Sequence, residues 1–155
     1  MWKKIRPYII SIAIALGVGI ISALLTKGGM EAYQNINKPP LNPPMIAFPV
    51  VWTILFILMG ISSAIIYTKN KAASRNALII YAVQLAINFF WSIIFFNMQA
   101  YLFAFIWLIL LWGLIIAMII EFKKIDLLAA YLQIPYLLWV TFAGYLNFMT
   151  YILNR

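Results

Sequence analysis

An all-α membrane protein folded as a bundle of five transmembrane helices is what this 155-residue sequence predicts. Three observations carry that expectation. The chain is 66% hydrophobic and only 9% charged, with a mean hydropathy of +1.02. A water-soluble domain needs about a quarter of its residues charged to cover its surface, so lipid must be the solvent. The apolar residues also come in long continuous runs rather than the short alternating segments of a membrane barrel. Finally, the runs are separated by short groups of polar and basic residues, which places chain reversals between spans.

The spans follow in order within a single domain of residues 1–155. Residues 7–26 are uncharged and preceded by Lys3, Lys4 and Arg6. A cleaved signal peptide has a shorter apolar core and a small-residue cleavage site, so this segment reads as a retained first helix. A proline-rich loop, 27–45, leads into a second span at 46–68. The 45 uncharged residues from Asn76 to Ile120 would reach about 68 Å as one helix at 1.5 Å per residue, more than twice the hydrocarbon thickness. The run must therefore break, and Asn97-Met98-Gln99 is the polar group at which to break it. That gives a third span at 77–96 and a fourth at 101–120, with a fifth at 127–151.

Five spans place the two chain ends on opposite sides of the bilayer. Eight Lys and Arg residues then fall on the amino-terminal side (Lys3, Lys4, Arg6, Lys69, Lys71, Arg75, Lys123, Lys124) and three on the other (Lys27, Lys38, Arg155). The positive-inside rule makes the amino terminus cytoplasmic and puts the proline loop and the carboxyl terminus outside. The net charge of +8 is explained by this topology, and no nucleic-acid partner is expected.

Composition excludes several chemistries. With no cysteine and no histidine, disulfides, thiolate nucleophiles, imidazole bases and Cys or His metal ligation are all missing. Glu31, Glu121 and Asp126 lie too far apart in sequence for a carboxylate dyad or an oxygen-ligand cluster. No metal or resident cofactor is expected. None of the five spans holds an ionisable Asp, Glu, Lys, Arg or His, so the usual machinery of ion-coupled pumps and proton-driven exporters is absent.

What the spans hold instead is aromatic and amide chemistry at helical spacing. Gln84, Asn88, Trp91 and Phe95 share one stripe of the third span, with Ser92 beside it. Trp52, Phe56, Met59 and Ser63 form a second stripe. Trp139, Ala143, Leu146 and Thr150 form a third, with Asn147 adjacent. By helical rise Trp52 lies about 9 Å from the outer end of its span, and Asn88 and Trp139 about 17–18 Å from the inner ends of theirs. All three therefore converge on the middle or outer half of the membrane, under the proline loop. Gln84 and Asn88 serve either as ligand contacts or as interhelical glue. Trp2, Tyr8, Tyr101 and Tyr151 read as interface residues, and Trp107 and Trp112 as packing or lipid-facing. Ala15, Gly19, Ala23 and the pair Gly60, Ala64 follow a small-residue spacing that allows close helix packing or dimerisation.

The stretch KPPLNPPMIAFPVVW, residues 38–52, holds five of the seven prolines. Fixed φ angles leave such a loop little freedom to lose, which suits a semi-rigid lid over an outward-facing pocket. The same prolines equally serve to end one helix and guide the chain into the next.

Three segments in this order, KPPLNPPMIAFPVVWTILFILMG, INFFWSIIFF and IPYLLWVTFAGYLN, resemble the TspO/MBR family of tryptophan-rich sensory and translocator proteins, and the likeness runs from Tyr33 to Asn154. The resemblance implies a five-helix bundle, usually homodimeric, that binds tetrapyrroles such as protoporphyrin IX. It also implies affinity for benzodiazepine-type ligands and, in bacterial members, an association with light- and oxygen-dependent porphyrin breakdown, transport or stress sensing. Family pocket positions carry over to Tyr33, Pro43 and Pro44 in the loop, to Trp52 and Phe56, to Asn88 and Trp91, and to Trp139, Ala143 and Leu146. Two departures stand out. Leu41 and Asn42 replace a small residue and a tryptophan before the second Pro-Pro, and Phe56 stands where many members have tyrosine. A sterol-type pattern can be traced through Leu146, Tyr151 and Arg155, but such patterns carry no inference of sterol binding.

The function expected from all this is tetrapyrrole binding in the membrane, with Trp52 and Trp139 stacking on the ring and Asn88 orienting a polar edge. Any catalysis would be photo-oxidative, with Trp139 and Trp52 as the electron-rich participants, because no acid, base, metal or nucleophile supports a conventional reaction. The competing expectation is a passive carrier of tetrapyrroles or other small hydrophobic ligands.

Overall fold

The computed structural model describes residues 1–155. It contains five helices long and apolar enough to cross a membrane and no strands, so the chain is an all-α integral membrane protein. The elements are α1 (Trp2–Leu25), α2 (Lys27–Tyr33), α3 (Ala47–Lys69), α4 (Ser74–Ser92), α5 (Tyr101–Lys123), α6 (Leu127–Leu132) and α7 (Ile134–Leu153). A wide π-helical turn over Ile93–Asn97 continues α4.

The helix ends differ from the sequence reading in instructive ways. Helix α1 begins at Trp2, so its basic first turn is helical, and Pro7 lies inside it. Pro7 cannot donate to the Lys3 carbonyl, a loss tolerated at an exposed end where water is available. Residues 27–45 are partly helical, because α2 occupies Lys27–Tyr33 before the prolines begin. The fifth span is two helices. Pro135 stands at the first turn of α7, where a missing N–H is harmless, and the chain breaks at Gln133 just before it. The reversal between α3 and α4 uses Asn70 in the left-handed conformation (φ 47°). Ser74 pins that turn, its hydroxyl accepting from the Lys71 N–H at 3.1 Å and donating to the Ile66 carbonyl at 3.0 Å.

Contacts across the bundle define its two faces. The α1–α3 connection meets the end of α7, where the Asn154 amide donates to the Asn37 carbonyl at 2.8 Å and Asn37 N–H donates back to the Asn154 Oδ1 at 3.1 Å. This is the proline face. At the amino-terminal face Lys69 at the end of α3 pairs with Asp126 at the start of α6, at 3.3 Å.

The core lies among α3, α4, α5 and α7, around Met59, Ile66, Leu111, Ile115, Phe122, Tyr136 and Val140, all at most 1% exposed. Helix α1 is peripheral. Only Ala15 and Ser22 of its 24 residues are buried, and it approaches α3 closely at Gly60, where an added Cβ would stand 2.5 Å from the Ile12 Cα. The small-residue spacing of α1 and α3 thus serves packing within one chain.

Candidate functional site

Buried polar groups set the middle of the bundle first. The Tyr136 hydroxyl donates to Gln84 Oε1 at 2.7 Å and accepts from Asn88 Nδ2 at 2.7 Å, a chain that ties α4 to α7. One turn nearer the proline face, the Trp91 indole donates to Asn147 Oδ1 at 3.0 Å, and Asn147 Nδ2 donates to the Tyr101 carbonyl at 2.8 Å. In hydrocarbon these groups have no water to turn to, so the bonds fix the rotation of α4 and α7 and with it the stripes.

Above that floor lies a cavity of about 250 Å³, walled by α1, α3, α4 and α7 and closed toward the proline face by Met30 and Tyr33 of α2 and by Met45. Eight of the ten ligand-binding positions expected from sequence line it: Tyr33, Trp52, Phe56, Asn88, Trp91, Trp139, Ala143 and Leu146. Pro43 and Pro44 stand outside the lining, and Pro49 is the proline that reaches it.

The walls are aromatic. Trp52 stacks on Phe56 with centroids 5.6 Å apart and meets Tyr136 edge-on at 6.3 Å. Trp91 stacks on Phe95 at 5.1 Å, and Phe95 and Phe96 both meet Tyr33 at 5.6 Å. The wide turn after α4 brings these two phenylalanines together, as such turns often do beside functional sites. Trp139 meets Phe48 edge-on at 6.0 Å. No Asp, Glu, Lys, Arg or His side chain lines the cavity.

Two polar groups at the cavity keep unused hydrogen-bonding capacity. The Trp139 indole N–H is buried without a hydrogen-bond partner, and Asn88 spends only its Nδ2 on Tyr136. At the rim Lys38 Nζ lies 5.8 Å from the Tyr33 ring centroid. Burial raises the Tyr33 hydroxyl above its ordinary range, which keeps it a neutral donor to Asn42 Oδ1 at 3.0 Å.

That bond is one of the tethers that hold the proline segment against the bundle. Tyr145 donates to the Pro40 carbonyl at 2.8 Å, and the Asn37–Asn154 pair holds the segment to α7. Gly29 lets α2 lie directly on the wide turn, since a Cβ there would stand 2.5 Å from the Phe96 backbone. The departure at Leu41-Asn42 has a local meaning as well. Leu41 takes a left-handed φ of 68°, and Asn42 supplies the acceptor for Tyr33.

Sequence reasoning missed the wall that α1 contributes. Leu16, Gly19, Ile20 and Ala23 line the cavity, and Gly19 does so by what it lacks: a Cβ would stand 2.6 Å from the Phe56 ring. The small-residue spacing was the available signal. Phe48, four residues before Trp52, extends the α3 stripe by one turn and was legible as such.

Trp107 packs half-buried against the core, and Trp112 is exposed on the lipid-facing surface. Their indoles donate to the Ile87 carbonyl at 2.8 Å and to Thr141 Oγ1 at 2.9 Å.

Comparison with known proteins places the chain in a family. The TspO/MBR family profile matches residues 11–152. The tryptophan-rich protein TspO of Chlorobaculum tepidum is 39% identical across 99% of both chains. Protein CrtK of Rhodobacter capsulatus is 36% identical over 88% of this chain and 85% of its own. The translocator protein of Bos taurus is 34% identical over 84% of this chain and 79% of its own. With a nearly full-length profile match and relatives of this similarity, the chain belongs to the TspO/MBR family.

Proposed function

We propose that the protein binds a flat tetrapyrrole of the protoporphyrin type within the membrane. The observation that carries this reading is an aromatic cavity with no ionic side chain in its wall and one buried indole N–H, that of Trp139, left without a partner. Such a pocket rewards a large apolar ring bearing a few hydrogen-bonding atoms. Trp52 and Trp139 supply ring faces and edges, Asn88 presents an acceptor to a pyrrole N–H, and Lys38 at the rim meets a propionate. At about 250 Å³ the cavity falls just below the range of roughly 300–1,000 Å³ for small-molecule sites. The ligand therefore enters edge-first, and part of it lies along the exposed flank of α1 at Ile20, which is 59% exposed.

With dioxygen present, a photoexcited ring beside Trp139 and Trp52 leads to light-dependent loss of the ligand, and the protein thereby serves in stress sensing. The carrier reading draws on the names of relatives, the translocator protein among them, and on the lateral opening along α1. The eight-to-three distribution of basic residues orients the amino terminus to the cytoplasm of a bacterial cell and the lid outward. The functional unit is a homodimer, as the family resemblance implies.

A dark titration with protoporphyrin IX, read by tryptophan quenching, tests the binding claim. Trp139→Phe and the cavity-filling Gly19→Val are each expected to weaken saturable binding about tenfold, the worth of one buried polar contact or a comparable steric loss. Equal binding in all three proteins would overturn the site, and unsaturable quenching in the unmodified protein would overturn the function. Illumination of the complex with and without dioxygen then separates degradation from carriage.

A further inference from the structure

A second cavity, of about 760 Å³, opens at the amino-terminal face between α1, α3 and α4, on the other side of the Ile12–Gly60 approach from the aromatic site. Its composition is different in kind. Lys3 and Arg6 stand at its mouth, one helical turn apart on α1, and neither makes an ion pair with an acidic side chain. The deeper wall is mostly apolar, formed by Ile10 and Ile14 of α1 against Leu78 and Leu85 of α4, with Ser11 and Ser63 between them. Between mouth and floor sits Tyr81, 8% exposed, whose buried hydroxyl stands beside the Ser63 side chain without a hydrogen bond of good geometry.

Helical rise gives these groups an order along the membrane normal. From Lys3 to Ile14 is about 16 Å, and Tyr81 lies about 10 Å along α4 from its start at Ser74. Side chains on a helix lean toward its amino terminus, and both α1 and α4 start at this face. Lys3 and Arg6 therefore reach toward the headgroup layer, and the Tyr81 hydroxyl leans back toward them from within the hydrocarbon. A pair of cations, then a hydroxyl donor, then an apolar slot is the inverse of a glycerophospholipid, which presents an anionic phosphate, then ester carbonyls, then an acyl chain. We propose that this cavity is a binding site for an anionic phospholipid of the amino-terminal-side leaflet, with the phosphate on Lys3 and Arg6, an ester carbonyl on the Tyr81 hydroxyl, and one acyl chain between α1 and α4. Basic pockets between membrane helices suit such headgroups, and charge-assisted contacts distinguish them from neutral lipid. The site shares helices with the aromatic cavity but none of its lining residues, so it stands or falls independently of the tetrapyrrole reading.

The test uses the full chain in neutral detergent, titrated with phosphatidylglycerol and, in parallel, phosphatidylcholine, with bound lipid counted by native mass spectrometry. One saturable phosphatidylglycerol is expected, bound about tenfold more tightly than phosphatidylcholine. The double variant Lys3→Gln/Arg6→Gln is expected to abolish that preference. Lys4→Gln/Lys123→Gln removes the same charge from residues outside the cavity and is expected to retain it. Equal loss in both double variants would mean diffuse attraction to a basic face and would overturn the site. Tyr81→Phe keeps the ring and its packing; it is expected to weaken both lipids, and unchanged binding would overturn the placement of the lipid in the cavity. Competition by inorganic phosphate would show an anion site without a lipid and would likewise overturn the proposal.

Discussion

The two halves of this bundle are built from the same helices and meet opposite demands. Toward the proline face α1, α3 and α4, joined by α7, enclose a small aromatic cavity with no ionic lining beside a tethered proline segment. Toward the amino-terminal face the first three of those helices line a larger cavity with cations at its mouth. The helices do not change character between the halves. What changes is which residues a stripe carries and how near the chain runs to its charged end. A bundle pinched at one point, Gly60 against Ile12, has room for a differently lined space on either side of the pinch.

Removing the pinch is expected to give the largest effect, because both halves depend on it. In Gly60→Ala the new Cβ would meet the Ile12 backbone at 2.5 Å, and backbone cannot step aside as a side chain can. Helix propensity gains about 1 kcal/mol from the exchange, but overpacking of this kind costs about 1–3 kcal/mol, and α1 has only two buried residues with which to hold its place. Unfolding in a denaturing detergent is expected to occur earlier, and both porphyrin and phosphatidylglycerol binding are expected to weaken. An effect confined to one ligand would show that the pinch does not organise both cavities.

Gly29→Ala sharpens the contrast by touching one half alone. Its Cβ would stand 2.5 Å from the Phe96 carbonyl carbon and oxygen and 2.7 Å from Asn97 Oδ1, so α2 must lift away from the wide turn. Tyr33 and Met30 leave the cavity roof with it. About 1–2 kcal/mol of overpacking strain is expected to appear as roughly a tenfold loss of porphyrin affinity. Phosphatidylglycerol binding at the far face is expected to be unchanged, and a matching loss there would mean that the two halves are coupled.

How much of this was readable in advance depended on whether a feature was made by a side chain or by its absence. Five helices were legible because run length and hydropathy are direct consequences of the bilayer's thickness. The aromatic stripes were legible because helical spacing places Trp52 with Phe56 and Asn88 with Trp91 whatever the tertiary structure. The split of the last span was not, although Gln133 and Pro135 mark it, because a single amide and a first-turn proline leave a 25-residue stretch apolar enough to read as one span. Helix α2 was hidden by the two glycines of KGGMEAY, which lower helix propensity yet are what allow it to sit on the wide turn. The wall contributed by α1 was hidden for the same reason: Gly19 shapes the cavity by lacking a Cβ. Asn88 was legible as a ligand contact or as interhelical glue, but its partner Tyr136 was not, because that residue belongs to another helix.

The smallest expected effect belongs to Asp126, which serves the amino-terminal half only. Its carboxylate accepts from the Ala129 N–H at 3.0 Å and so caps α6, and it pairs with Lys69 at 3.3 Å. The Ala129 N–H bond, followed by the contacts of Lys69, holds its pKa below the ordinary 3.8. Because the folded value is depressed, the stabilisation is complete above the ordinary pKa and is lost as pH falls from about 3.8 through the folded value. The Lys69 side chain is 47% exposed, so the ion pair itself contributes little, within about 0.2–1 kcal/mol. Asp126→Asn keeps a capping oxygen and removes the charge, and is expected to cost no more than that while flattening the acid limb of the stability profile. Asp126→Ala removes the cap as well and is expected to cost about 1 kcal/mol. Because α6 packs against α3 through the Ser62 hydroxyl, which donates to the Ala129 carbonyl at 2.7 Å, fraying it loosens the carboxyl-terminal part of α3 at the amino-terminal face, beyond Gly60. Phosphatidylglycerol binding is therefore expected to weaken slightly in Asp126→Ala while porphyrin binding holds; a loss of porphyrin binding instead would show that α3 transmits strain past the pinch.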